Sequence, residues 1–100
     1  MVEVRWTHLA IDDLNEIGEY IAKDSRRYAE ITVQELFDTT EILEQTPKAG
    51  RIVPEFSKPN LRELIQGNYR IIYKIINTKT IDILTIHHAK RDIYSNKKLK

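Results

Sequence analysis

Two adjacent histidines, His87 and His88, stand just before Lys90 and Arg91, and another arginine, Arg70, lies upstream in a run that alternates like a strand. Imidazole titrates near neutral pH, and a guanidinium holds phosphate through a fork of parallel donors. Cutting an RNA strand needs a group to take the 2′-hydroxyl proton, a cation for the charge that grows on the phosphate, and an acid for the leaving oxygen. His87 or His88 fits the base or the acid, Arg70 and Arg91 fit the phosphate, and Arg62 or Lys90 supplies field. Tyr73 and Tyr94 could stack on a base. Arginine and histidine are also ordinary at strand ends, and Arg70 has a second use, pairing with Glu63 across a hairpin. His8, at a helix start, reads as a surface side chain. Neighbouring strand residues face opposite ways, so His87 and His88 cannot chelate one ion together, and no acid at helical spacing completes a site. No metal and no cofactor are expected.

The rest of the chain bounds what could hold these groups. One hundred residues, 41% hydrophobic and 31% charged, make one domain spanning 1–100. The absence of cysteine excludes a disulfide framework, thiol catalysis and cysteine zinc sites. The first residues lack a hydrophobic signal core, and no apolar run nears the roughly 20 residues of a bilayer span, so a cytoplasmic protein without membrane contact is expected. The net charge of +1 hides a split: residues 1–50 hold five Lys/Arg against eleven Asp/Glu, and residues 51–100 hold eleven against four. A half this basic reads as a surface for phosphate or for an acidic protein segment.

Val2-Glu3-Val4-Arg5-Trp6 alternates at period two and predicts a short strand. Thr7 can cap a helix whose stripe is Ala10, Leu14, Ile17 and Ile21, with Asp12, Asp13, Glu16 and Glu19 pointing elsewhere and Glu19 placed to pair with Lys23. After the break at Asp24-Ser25, Ala29, Val33, Leu36, Thr40 and Leu43 predict a second helix to about Gln45, which Pro47 ends. The two form an antiparallel hairpin. Residues 47–59 read as a loop with a short strand at Arg51-Ile52-Val53. Leu61 to Ile65, Tyr69 to Ile76 and Thr80 to His87 read as strands joined by tight turns. The fold class is therefore α+β, a small antiparallel sheet in the order β-α-α-β-β-β with the helical hairpin on one face. Both faces carry isoleucine: Tyr69, Ile71, Tyr73 and Ile75 oppose Arg70, Ile72, Lys74 and Ile76, while Ile81 and Ile83 oppose Leu84 and Ile86. One hairpin covers one face. The second needs the 47–59 loop, residues 89–100 or another molecule, and an uncovered remainder would suit an amphipathic peptide.

The segments Leu61-Arg62-Glu63-Leu64, Gly67-Asn68-Tyr69-Arg70-Ile71-Ile72-Tyr73 and Ile83-Leu84-Thr85-Ile86-His87-His88-Ala89-Lys90-Arg91-Asp92 resemble the C-terminal half of the RelE/ParE toxin superfamily. A strand ending in Trp6, Tyr20-Ile21-Ala22, and Leu43 through Pro47 to Gly50-Arg51 extend the resemblance over nearly the whole chain. It implies the toxin of a bacterial type II toxin–antitoxin pair, which inhibits growth and stabilises a plasmid or chromosome. Its partner would be a cognate antitoxin that wraps and neutralises it, in a hetero-oligomer or beside a homodimer. RelE-like members cut messenger RNA on the ribosome, which would make Arg70, Arg91 and His87 or His88 catalytic. ParE-like members inhibit DNA gyrase by contact and need no catalytic group. A scaffold that has lost toxicity and only binds its partner is a third reading. Tyr94 follows Arg91 by only three residues, and the lysine-rich stretch of RelE is reduced to Lys58, so the chain is closer to ParE. The implied target-binding residues are Arg62, Lys90, Arg91 and Tyr94, and the implied antitoxin-binding residues are Arg70, Ile72 and Lys74.

Overall fold

The computed structural model describes residues 1–89. Strand β1 (Glu3–Trp6) leads into helices α1 (His8–Ala22) and α2 (Arg26–Thr39), and α2 tightens into a 3-10 turn over Thr40–Glu44. Four strands follow: β2 (Arg51–Ile52), β3 (Leu61–Gln66), β4 (Tyr69–Asn77) and β5 (Thr80–His88). Among the described residues no helix is long and apolar enough to cross a membrane.

Helix starts fall where hydroxyls can accept orphan backbone donors. Thr7 Oγ1 accepts from Ala10 N at 3.1 Å and donates to Ile83 O at 2.8 Å, so the cap also ties α1 to β5. Ser25 Oγ accepts from Tyr28 N at 3.1 Å and starts α2. Gly18 lets the two helices approach closely, because a Cβ there would stand 3.0 Å from Val33 Cγ2. Lys23 lies over the Tyr20 ring at 5.8 Å, and no described ion pair joins it to Glu19.

The sheet order is β1-β5-β4-β3-β2. The pairs from β2 to β5 are antiparallel, joined in β3–β4 by a turn with Gly67 at φ 58° and in β4–β5 by a turn closed by Lys79 N donating to Asn77 Oδ1. The first strand instead lies parallel to β5, Glu3 opposite Thr80 and Trp6 opposite Ile83, so the sheet is mixed. The helical hairpin carries the chain back across the sheet and allows that direction.

Ala10, Leu14, Leu36 and Leu43 pack from the helical layer on Ile71, Tyr73, Ile81, Ile83 and Ile86, all buried. Removing a Leu or Ile of this kind from water stabilises the fold by about 1.5–3 kcal/mol. Simple alternation puts Ile86 on the face opposite Ile81 and Ile83, yet all three share this core. Register slips between Ile72 and Tyr73, where Tyr73 pairs with Ile83 and Leu84 is the extra residue. The bulge reverses the parity of β5 and leaves Leu84 packed on the second face.

The free edge of β5 beyond β1 is closed by α1. Asp13 Oδ2 accepts from Ile86 N at 3.1 Å and from the Thr85 hydroxyl, satisfying groups that would otherwise invite another strand.

Candidate functional site

The sheet face away from the helices carries most of the described candidate residues, and the chain covers part of it itself. Val53 N donates to Leu61 O at 3.0 Å, and the following turn is closed by Phe56 N and Ser57 N donating to Val53 O at 3.2 and 3.0 Å. Val53, Leu61 and Ile72 form a small buried cluster with Phe56 and Leu84 packed against it. Ile72 is therefore wholly enclosed, while Lys74 on the same strand is exposed.

Arg70 lies beside this cluster at 6% exposure, opposite His87 in register. Its Nη1 and Nη2 fork onto the two oxygens of Glu55, each at 2.8 Å. Its Nε and Nη2 hold Glu63 Oε1 at 2.6 and 2.5 Å. Arg51 reaches the other Glu63 oxygen at 2.5 Å from a mostly exposed position. Two full carboxylates thus balance two guanidiniums, and Glu63, whose side chain is fully buried, meets a cation on each oxygen. The Glu55 hydrogen bonds and then those of Glu63 raise the Arg70 pKa above its ordinary value, against the opposing effect of burial. The Arg70 fork holds the Glu55 carboxyl below the usual range.

Arg62 is likewise engaged with the chain's own backbone, Nε donating to Pro59 O at 2.9 Å and Nη1 to Gly50 O at 3.0 Å. Tyr73 anchors the start of the same loop: its hydroxyl donates to Pro47 O at 2.8 Å and accepts from Gly50 N at 3.0 Å, and burial pushes its pKa up. Gly50 has to be glycine at this contact, since a Cβ would run into Glu63 O and the Tyr73 ring.

Of the suspected chemical groups, the structure brings Arg70 and His87 together, both buried. His88 faces away, exposed, in an edge-to-face contact with Tyr69 whose ring centroids are 5.8 Å apart. It borders a cavity of about 340 Å³ between α1 and the sheet, walled also by Asp13, Glu16, Tyr20 and Ile86. Lys90, Arg91 and Tyr94 lie outside the described residues, as do residues 95–100. Among the described residues no group of three or more His, Cys, Asp or Glu could hold a metal ion.

Sequence reasoning missed Glu55. The signal was its rarity: residues 51–100 contain only four acids, and Glu55, Glu63 and Asp82 all stand in ion pairs. An isolated acid in a basic stretch is a natural counter-ion.

Known proteins share this arrangement of elements. Residues 4–93 match the family described as ParE toxin of type II toxin-antitoxin system, parDE. The chain is 36% identical over 88 residues to "Putative toxin Y4kP" of Sinorhizobium fredii, covering 86% of each. It is similar, at a TM-score of 0.74 and 25% identity over 90% of its length and 98% of the other's, to a chain of the "Chromosomal ParDE TA system from P. aeruginosa". A chain of the RelBE2 toxin-antitoxin complex from Mycobacterium tuberculosis shares the fold, with a TM-score of 0.58 and 23% identity over 87% of this chain and 96% of that one. The family match runs through both helices and every strand, including the Arg70 cluster, and the chain belongs to the ParE toxin family of type II toxin–antitoxin systems.

Proposed function

We propose that this protein is a ParE-like toxin that inhibits DNA gyrase by binding it, and that a cognate antitoxin neutralises it. The observation that carries this reading over ribosome-dependent cleavage is the state of Arg70. A nuclease arginine must reach a phosphate, whereas Arg70 is buried and both ends of its guanidinium are occupied by Glu55 and Glu63. His87 beside it is 3% exposed, too enclosed for a ribose hydroxyl to approach. A contact inhibitor needs none of these groups free. Its target surface is the basic segment with Lys90, Arg91 and Tyr94, together with Arg62. An antitoxin partner accords with the ParDE pair from P. aeruginosa that the fold resembles.

Purified protein should block gyrase supercoiling at near-stoichiometric amounts and leave ribosome-bound message intact, and Lys90→Glu with Arg91→Glu should relieve the block. Cleavage of message with supercoiling untouched would overturn the reading in favour of a nuclease.

A further inference from the structure

Resting on the reading of the chain as a toxin held by an antitoxin, we propose that residues 54–59 are a removable cover. An acidic protein segment supplied in trans takes the place of Glu55 on Arg70 and of Phe56 on the floor formed by Leu61, Ile72 and Leu84.

The cover is fastened unlike the sheet around it. Up to Val53 the chain is paired to β3 through backbone. Beyond it, the contacts described are the Glu55 fork on Arg70, the Phe56 ring on the apolar cluster, and, where the chain rejoins β3, Arg62 Nε donating to Pro59 O and Leu61 N donating to Lys58 O. Pro54, Ser57, Lys58 and Pro59 are all exposed, and Ser57 sits at φ 51°, a region sparsely populated by residues with a Cβ. Lifting 54–59 breaks no rung of the sheet. It uncovers an apolar strip with Arg70 at one end and exposed Lys74 further along the same strand.

The chemistry of the occupant follows from charge and depth. Glu55, Glu63, Arg70 and Arg51 sum to zero, so a monoanion replacing Glu55 leaves the buried pair balanced. With Glu55 displaced, Arg70 still holds Glu63 through Nε and Nη2, and the group that its outer donors meet in this structure is a single carboxylate on a flexible stem. Lys74 and Arg51 at the rim favour a segment with further acids. The cover itself shows the pattern that fits, a carboxylate followed directly by an aromatic ring.

The test uses the full chain and a synthetic peptide of residues 53–59, followed by the methyl NMR signals of Ile72 and Leu84. A tethered cover competes at millimolar effective concentration, so wild type should bind the peptide at least about 10-fold more weakly than the Glu55→Gln, Phe56→Ala variant. A peptide with Gln in place of Glu55 should lose at least about another 10-fold, as expected for a charge-assisted fork. Equal binding of the two peptides, equal binding by wild type, or the same shifts with a short single-stranded RNA would overturn the proposal. So would loss of cooperative unfolding in both this variant and Glu55→Gln alone, which would make the cover part of the core. None of these outcomes touches the supercoiling result, so the two readings fail separately.

Discussion

Replacing Arg70 by alanine removes the one Lys or Arg that is buried among the described residues and should cost far more than a surface charge. Glu63, with no exposed side-chain area, would keep only Arg51, whose side chain is 62% exposed. Glu55 would lose both donors of its fork. Taking one partner from a buried ion pair costs about 3–5 kcal/mol, and the remaining Arg51 contact places this case near the lower end. At about 3 kcal/mol, a domain of this size loses roughly 12–24 °C in melting temperature. Urea titration should show a lower midpoint with an unchanged slope. The companion variant Glu55→Gln, Glu63→Leu, Arg70→Met removes the charges together and should recover most of the loss, since buried ion pairs often exchange for apolar groups without penalty. A cost below about 1 kcal/mol for Arg70→Ala, the range of exposed pairs, would refute the burial argument. Loss of toxicity in Arg70→Ala would therefore report unfolding, and only the neutral triple variant asks whether Arg70 meets a target.

Three further outcomes follow from the same contacts. Because Arg70 lowers the Glu55 pKa, the Glu55 contribution should be complete above the unfolded carboxyl value of about 4.3 and vanish as pH falls through the lower folded value; wild type and Glu55→Gln should differ in urea midpoint at pH 7 and converge near pH 3. Tyr73→Phe strands Pro47 O and Gly50 N and should cost about 1–3 kcal/mol, with faster hydrogen exchange at the Gly50 amide. Asp13→Ala removes the acceptor of Ile86 N and of the Thr85 hydroxyl and should cost about 1–3 kcal/mol, with the Ile86 amide losing protection.

What local rules govern was legible. Thr7 and Ser25 are caps because they precede apolar stripes, and Gln66-Gly67-Asn68 is a turn because Gly67 takes φ 58° without strain. The short strand at Arg51–Ile52 was also readable, though Val53 belongs to the buried cluster rather than to the strand. The direction of β1 was not, since either direction suits a period-two strand. The Leu84 bulge was invisible as well, because one extra residue leaves composition unchanged while moving Ile86 to the other face. In the candidate site, Arg70 offered two uses from sequence, phosphate and Glu63, and the structure pairs it with Glu63. What sequence could not convey is that Glu55, from across a proline-flanked turn, completes the enclosure and that Ile72 lies beneath Phe56 and Val53.

The pairing of β1 with β5 also fixes an order of events during synthesis. The first strand to leave the ribosome waits for the last one described, because Glu3 to Trp6 pair with Thr80 to Ile83 and Arg5 bonds Asp82. At roughly 5–20 residues per second, several seconds pass in which the apolar side of the helices has no sheet to rest on. The β1 rung of the sheet therefore closes only after every other described strand has been made.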